Sequence, residues 1–422
     1  MTTRAYLDAN ASDVLRPQAR EAVIEALALT GNASSVHTAG RAARRCVEDA
    51  RVAVAELVGA RGEDVVFTSG ATEANAIVFA QAWDAIFVSR IEHAAVLEPA
   101  QAAAKRAARD VGQEDGQEDG QDDALLRWLS VSGTGVIDVD AATSAMRAWR
   151  DVHPDARALL SVQAANNETG VLQPLDALAQ AARDLHIAVH CDAAQLPGRM
   201  AFDVAALGLT YTALSAHKMG GPHGVGALID RASQPLMALT PGGGQERRRR
   251  GGTHNTAAIA GFGAAAKAVL ADVREDRLSE RLRAGRDKLE AGLCEALPGT
   301  YIIGEAAPRL PNTTLAALPG ASAETLIIKL DLAGIDVSAG AACSSGKVGA
   351  SHVLQAMGLD AEIAAGAVRF SIGWATCKAD IERAATAWAR LGGSAASSFR
   401  SPPAPLPSTT ASPARAPFAR AS

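Results

Sequence analysis

Short apolar runs alternate with amphipathic stretches along the first 230 residues. The runs fall at 65–68, 85–89, 158–162, 188–192, 210–215 and 225–229. They carry almost no polar residues, so both faces of the sheet they form must be covered. Amphipathic segments between them predict helices, one over 94–108 and another that begins near Pro174. This alternation predicts an α/β fold with a mainly parallel sheet between two layers of helices.

The pattern changes at about Thr256. Long Ala/Arg/Glu-rich helices are predicted over 256–296, followed by short strands such as 368–372. These features predict a second, smaller α+β domain. We expect residues 13–255 to form the large domain, and residues 1–12 and 256–391 to form the small one.

Two segments depart from this pattern. Residues 112–123 carry a QEDG repeat, whose like charges and glycines favour a solvated acidic loop. A docking patch for a partner protein is the alternative interpretation. Residues 392–422 are rich in Pro, Ala and Ser, a composition that predicts a disordered tail.

Composition narrows the class of protein. A length of 422 residues suits two or three packed units, and a net charge of −5 gives no case for nucleic-acid binding. No apolar run near the ~18 residues of a membrane span is evident, and the amino terminus has no apolar signal-peptide core. The five cysteines show no CxxC spacing, so neither a disulfide framework nor a zinc site is expected. We therefore expect a cytoplasmic enzyme.

Polar residues follow the predicted strands, at the sheet edge where ligands of α/β proteins collect. They are Ser69–Thr72, His93, Asn166–Gly170, Asp192, Gln195, Ser215, His217 and Lys218. A helix N-terminus after Gly70 could bind a phosphate through backbone N–H groups. Lys218, at the mouth of an apolar strand, is a candidate covalent nucleophile, and Asp192 could pair with a cationic ring nitrogen. Together these groups indicate a pyridoxal 5′-phosphate site.

Motifs around these residues resemble the class V aminotransferase family, and most closely the cysteine desulfurases of the NifS/IscS type. The matching stretches are Tyr6–Asp8, Thr68–Glu73, Glu92–His93, Asn166–Gly170, Cys191–Gln195, Ser215–Lys218, Gly242–Glu246, Gly252–Thr253, Ala341–Ser345 and Val368–Ser371. The similarity spans roughly residues 5–390. It implies a fold-type I pyridoxal-phosphate enzyme, with a mainly parallel seven-stranded sheet in its large domain, that forms a homodimer. The residues that follow Asp8 depart from the family pattern, which alters the expected substrate entrance.

The resemblance also implies roles for single residues. Lys218 would hold the cofactor covalently and later move a proton, Asp192 would pair with the ring nitrogen, and His93 would stack on the ring. Asn167 and Gln195 would contact the phenolic oxygen, with Asn167 also on the substrate side.

The remaining implied roles concern anions. Ala71, Thr72, Ser215 and His217 would bind the cofactor phosphate, and Thr253 would reach it from the second subunit. Arg369 would bind the substrate carboxylate, since a guanidinium fork suits that geometry.

Cys343 decides which reaction the resemblance implies. It lies in a Gly/Ala/Ser-rich stretch over 338–346, which is typical of a loop, and its thiolate could attack the sulfur of a bound cysteine. We therefore expect conversion of L-cysteine to L-alanine, with a persulfide on Cys343 that passes to a protein acceptor for iron–sulfur assembly or thiolation. The alternatives are a selenocysteine lyase or another class V enzyme, a structural Cys343, and a non-catalytic interaction protein that kept the fold.

Overall fold

A computed structural model describes residues 4–110, 125–275, 277–340 and 351–392. The predicted acidic loop 112–123, the candidate nucleophile Cys343 and all but the first residue of the predicted tail lie outside the described residues.

Strands of the structure form two principal sheets and one short pair. The strands are β1 (Ala5–Tyr6), β2 (Val65–Thr68), β3 (Ala85–Ser89), β4 (Leu126–Leu129), β5 (Ala158–Ser161), β6 (Ala188–Asp192), β7 (Tyr211–Ser215), β8 (Gly226–Asp230), β9 (Tyr301–Ile303), β10 (Thr313–Ala317), β11 (Ile335–Asp336), β12 (Ser338–Ala339) and β13 (Ala367–Ser371). The large sheet has seven strands in the order β2-β8-β7-β6-β5-β3-β4. Only β8 runs antiparallel to its neighbours in this sheet. The predicted α/β fold with a mainly parallel seven-stranded sheet is confirmed.

Helices cover the sheets. They are α1 (Pro17–Leu27), α2 (Thr38–Leu57), α3 (Ala71–Phe79), α4 (Ala94–Asp110), α5 (Val139–Val152), α6 (Leu175–Asp184), α7 (Thr256–Arg274), α8 (Arg277–Ala296), α9 (Ala323–Leu332), α10 (His352–Ala356), α11 (Ala361–Ala365) and α12 (Lys378–Ala389). Local sequence sets their ends. For example, the Asp138 carboxylate accepts a hydrogen bond from Ala141 N at the start of α5, which satisfies a donor that the helix cannot pair.

Side chains alternate between the two faces of the large sheet, and both faces are buried. In β2, Phe67 joins the core on the α7 side, whereas Val66 joins the core on the α3 side with Ile77. This double burial explains why the strands read as continuous apolar runs rather than as alternating patterns. It also leaves only the strand ends free to present polar groups.

The smaller unit is built on an antiparallel sheet in the order β12-β13-β10-β9. The strand β1 pairs parallel with β11 beside it, so the amino-terminal segment crosses to this unit. Leu7, Phe370 and Trp388 belong to its core, which also includes residues of α8, α9 and α12. Both units therefore depend on segments that are distant in sequence.

Helix α7 differs from the sequence-based domain assignment. Phe262 and Val269 belong to the core of the large sheet, and α7 packs against α1 and α2. Glycine permits this close approach, since a Cβ at Gly263 would lie 2.6 Å from Ala50 Cα. The assignment of residues 256–274 to the small domain is therefore wrong, because the small, apolar face of this helix fits the large core. The other domain boundaries stay predictions.

Helix α7 also corrects the expectation that no apolar run is long enough to cross a membrane. By length and composition alone it qualifies, with 19 residues and a mean hydropathy of 1.4 in its most apolar window. It is the one such helix in the part of the chain that the structure describes. Its packing against α1, α2 and the large sheet is that of a core helix of a globular unit.

Replacement of Phe262 tests this placement of α7. The ring is fully buried and meets the ring of Phe67 edge-on, with 6.4 Å between centroids. Phe262→Ala should lower the free energy of unfolding by about 3–5 kcal/mol, since it leaves a cavity in the core. Chemical denaturation measures the change, and Leu332→Ala, whose side chain is 81% exposed, should stay within about 0.5 kcal/mol of wild type. A Phe262→Ala variant as stable as that control would contradict the packing.

Candidate active site

One cavity of about 570 Å³ lies at the carboxyl edge of the large sheet, beside the small unit. Its lining includes ten of the twelve predicted site residues: Ala71, Thr72, His93, Asn167, Asp192, Gln195, Ser215, His217, Lys218 and Arg369. The two others are not there. Thr253 is exposed and does not line the cavity of its own chain, and Cys343 lies outside the described residues.

The turn between β2 and α3 forms one wall of the cavity. Gly70 precedes the helix, and no side chain of the described residues caps its first turn. Gly226 on β8 presses against this turn, since a Cβ there would lie 2.6 Å from Gly70 Cα. Ser69 N in this turn donates to Glu73 Oε2 at 2.6 Å, whereas the uncapped N–H groups at the start of α3, together with the hydroxyls of Thr72 and Ser215, are suited to bind a phosphate.

Lys218 follows β7 in a single 3₁₀ turn over Ala216–Met219. Its Nζ atom donates hydrogen bonds to the carbonyl oxygens of Asn10, at 2.6 Å, and Ala11, at 3.0 Å. The amino-terminal segment therefore fixes the Lys218 amine inside the cavity. This segment is joined to the small unit through the pairing of β1 with β11.

Asp192 ends β6, and each of its carboxylate oxygens is engaged. Oδ1 accepts a hydrogen bond from Ala194 N at 3.0 Å, and Oδ2 accepts one from Asn75 Nδ2 at 2.9 Å. These two donors fix the orientation of the carboxylate toward the cavity. Such a group can pair with a cationic ring nitrogen.

His93 is a neutral ring in the cavity wall. Its Nδ1 accepts a hydrogen bond from Ala95 N at 3.0 Å, so the single ring proton lies on Nε2. Burial lowers the pKa of His93, against the opposing effect of Asp192. A neutral imidazole suits a stacking role better than a charged one, because it carries no charge to desolvate.

Arg369 comes from β13 of the small unit and is 3% exposed. Its Nη1 donates to Asn167 O at 3.0 Å, and its Nη2 donates to Asp8 Oδ1 at 2.8 Å. An incoming carboxylate therefore shares the guanidinium with Asp8 or displaces it.

The cavity retains buried polar atoms that no described residue satisfies. They are Gln195 Oε1, His217 Nδ1 and Arg369 Nε. Leaving such atoms unpaired costs about 1–3 kcal/mol each, so a ligand with several polar groups is expected to satisfy them. A phosphate cradle, a fixed carboxylate, a lysine amine and unpaired polar atoms in a cavity of this size fit pyridoxal 5′-phosphate.

Sequence reasoning missed four residues that build this site: Asn10, Asn75, His223 and Ser338. Asn10 is buried and its carbonyl holds Lys218, while His223 stacks on His217 with 5.1 Å between ring centroids. Asn10 follows a strand of only two residues, too short to stand out as an apolar run. Asn75 lies inside α3, where a polar residue on a buried face is the one sequence feature that could have marked it.

Comparison with known proteins identifies the family to which this protein belongs. The chain belongs to the class V aminotransferase family, which matches residues 5–384 under the description Aminotransferase class-V. The resemblance noted from the motifs is confirmed.

Individual relatives are similar over almost the whole chain. An IscS-like cysteine desulfurase of Mycobacterium tuberculosis is 35% identical over 391 residues, which cover 90% of this chain and 94% of that protein. A cysteine desulfurase of Cereibacter sphaeroides is 38% identical over 388 residues, covering 90% and 93%. The crystal structure of a NifS-like protein from Rickettsia africae superimposes with a TM-score of 0.79 at 30% identity, covering 92% of this chain and 99% of that one.

His217 gives the site a pH dependence. Burial, helped by the nearby charges of Lys218, His223 and Arg199, lowers its pKa to about 4. The folded protein therefore keeps this ring neutral where the unfolded chain, with an ordinary pKa of about 6.5, takes up a proton. The stability that depends on the neutral ring is present above about pH 6.5 and is lost as the pH falls toward 4.

Chemical denaturation of the cofactor-free protein between pH 7 and pH 5 tests this effect. We expect the unfolding free energy of His217→Asn to fall less steeply with acid than that of the wild type, because the variant has no proton to take up. His186→Asn, at an exposed position, serves as the control and should keep the wild-type slope. Equal slopes in all three proteins would contradict the neutral His217.

Proposed function

We propose that this chain is a pyridoxal-phosphate-dependent cysteine desulfurase, which converts L-cysteine to L-alanine and keeps the sulfur as a persulfide on Cys343. The observation that carries the proposal is the meeting of Lys218, Asp192 and Arg369 in one cavity, although they come from two different sheets. The relatives named cysteine desulfurase support the choice of reaction.

Substrate binding depends on Arg369 and its neighbours. The guanidinium offers a fork for the α-carboxylate of an amino acid, and Asn167, whose carbonyl holds Nη1, fixes the orientation of that fork. Asp8 already occupies Nη2. The carboxylate of the substrate therefore shares the guanidinium with Asp8 or displaces Asp8 from it, and the unpaired Nε of Arg369 offers a further donor.

When bound, pyridoxal phosphate supplies an electron sink that weakens bonds at the substrate carbons next to the amino group. Lys218 is positioned to hold it and to move a proton, since two carbonyl oxygens fix its Nζ. His93, neutral and with its proton on Nε2, covers the cavity beside it. Thr72, Ser215 and the β2–α3 turn hold the phosphate end.

Sulfur transfer then balances without an external oxidant. The Cys343 thiolate attacks the substrate sulfur, so that an S–S bond forms while the carbon–sulfur bond breaks. The electron pair of the broken bond stays with the substrate carbon, which takes a proton and becomes the methyl group of alanine. Sulfur is oxidised to the persulfide level as that carbon is reduced. Ser338, five residues before Cys343 in the sequence, lines the cavity, which supports this role for Cys343.

Three further features belong to the same proposal. The persulfide is delivered to a protein acceptor, in iron–sulfur assembly or in thiolation. The enzyme is a homodimer in the cytoplasm. The exposure of Thr253 away from its own cavity supports the dimer, because this residue is then free to reach the phosphate of a second subunit.

Substitution of Cys343 tests the reaction. Cys343→Ala should keep the absorbance of the bound cofactor and lose sulfide release from L-cysteine with a reductant by at least about a hundredfold, because no thiolate is left to accept the sulfur. Cys294→Ala, at an exposed position on α8, should keep wild-type activity.

Alanine formation, followed in the same samples, should fall together with sulfide release. Full desulfurase activity in Cys343→Ala would contradict the proposed role of this cysteine. Loss of the cofactor absorbance in that variant would instead indicate a structural role.

A further inference from the structure

A chain of buried hydrogen bonds continues from Asp192 into the core, on the side away from the cavity. Asn75 Nδ2 donates to Asp192 Oδ2 at 2.9 Å, and Asn75 Oδ1 lies 3.0 Å from His190 Nε2. His190 Nδ1 lies 2.9 Å from Ser161 Oγ. Asn75, His190 and Ser161 are completely buried.

The chemistry of the groups fixes the direction of every proton in this chain. The Asp192 carboxylate is an acceptor, so Asn75 turns its amide NH₂ toward it and its oxygen toward His190. His190 must then donate from Nε2, which leaves Nδ1 as the acceptor for the Ser161 hydroxyl. Each residue therefore has one orientation that satisfies both of its neighbours.

Burial keeps this arrangement in one protonation state. It lowers the pKa of His190 to about 4, so the ring stays neutral near neutral pH. The charged and titratable groups around Asp192 are His190, His93, Cys191 and Glu92. Burial raises the pKa values of Glu92 and Cys191 well above their ordinary ranges.

A ring contact also holds the His190 side chain in place. His190 meets the ring of Phe79 edge-on, at 5.5 Å between centroids, and both Asn75 and Phe79 belong to α3. Helix α3 is the same helix whose first turn forms the phosphate cradle. One helix thus fixes both the anion-binding turn and the donor to Asp192.

We propose that Asn75, His190 and Ser161 form a positioning relay that holds the Asp192 carboxylate in a fixed orientation, aimed at the cavity. The inference rests on the proposed pyridoxal-phosphate function, in which Asp192 pairs with the cofactor ring nitrogen. Asn75 donates directly to the carboxylate, His190 donates to the Asn75 amide oxygen and so prevents that amide from turning over, and the Ser161 hydroxyl satisfies the second ring nitrogen of His190. None of the three touches the cavity.

Variants at two links separate hydrogen bonding from packing. Asn75→Leu keeps the branched shape and the number of heavy atoms of the side chain and removes the donor to Asp192. His190→Phe keeps an aromatic ring and removes the donor to Asn75. His190→Gln is the conservative variant, because its amide nitrogen can take the place of Nε2.

The first readout is the absorbance spectrum of the pyridoxal-phosphate-loaded enzyme as a function of pH. Without the relay, the Asp192 carboxylate is no longer aimed at the ring nitrogen and stabilises positive charge there less well. The pH midpoint of the spectral change should therefore rise by half a unit or more, on the order of the effect of one lost charged hydrogen bond, in Asn75→Leu and His190→Phe. Cofactor affinity, measured by equilibrium dialysis, should fall about tenfold. His190→Gln should stay close to wild type in both measurements.

The second readout needs no cofactor. In the cofactor-free protein labelled with ¹⁵N-histidine, the resonances absent from His190→Gln identify His190. They should report a neutral ring protonated at Nε2 from pH 8 to pH 5.5. Ser161→Ala should shift the Nδ1 resonance of His190 and leave the proton on Nε2, because Asn75 Oδ1 still requires that donor.

The outcomes distinguish the relay from the function on which it rests. A wild-type pH midpoint and cofactor affinity in Asn75→Leu would overturn the relay, as would a His190 ring protonated at Nδ1. Equal losses in His190→Gln and His190→Phe would also overturn it, since the effect would then come from packing. Failure of the wild-type protein to bind pyridoxal phosphate, with the histidine resonances as expected, would instead overturn the proposed function.

Discussion

The buried side chain and carbonyl of Asn10 join the parts of the chain that make the cavity. Its amide nitrogen donates to Asn167 O and Thr313 Oγ1, and its amide oxygen accepts from Asn312 Nδ2. Its backbone carbonyl accepts from both Gln195 and Lys218. A residue that is 1% exposed must satisfy all of its polar atoms within the protein. These hydrogen bonds fix how the amino-terminal segment, the large sheet and the small sheet meet at the cavity.

This constraint explains why the site lies between two cores. The strands of the large sheet are buried on both faces, so polar groups can emerge only where the strands end. Asp192 and Ser215 stand at two such ends. The small unit brings Arg369 across to them, and Asn10 and Asp8 fill the space between. The cavity therefore brings together the Lys218 amine, the Asp192 carboxylate and the Arg369 guanidinium. Hydrogen bonds to the surrounding protein hold each of the three in place.

A buried ion pair organises the neighbouring segment in a similar way. Three consecutive residues, Glu246, Arg247 and Arg248, have left-handed backbone conformations, which are costly for residues with a side chain. The Glu246 carboxylate offsets this cost, since it accepts a bidentate pair from Arg51 and a hydrogen bond from Phe67 N. These contacts hold its pKa at about 2. The segment that leads to Thr253 is thus fixed by contacts within the chain itself.

The sequence allowed the sheet and most of the cavity to be predicted, because both depend on local patterns. Apolar runs mark buried strands, and the polar residues directly after them had to gather at one edge. The predictions failed where long-range packing decides the structure. Helix α7 was assigned to the wrong unit because its small apolar face fits either core equally well by composition. Asn10 and Asn75 were missed because their importance lies in partners up to about three hundred residues away, as Asn312 shows for Asn10. The position of one polar residue in the sequence does not show which distant residues it contacts in the fold.

The central claim is that this cavity binds pyridoxal phosphate covalently through Lys218. Borohydride reduction of the protein loaded with one equivalent of pyridoxal phosphate, followed by peptide mass spectrometry, tests it most directly. The account predicts one pyridoxyl group per chain, on the peptide that contains Lys218, and none at that level in Lys218→Ala. Stoichiometric labelling at another lysine, or no labelling of the wild-type protein, would contradict it.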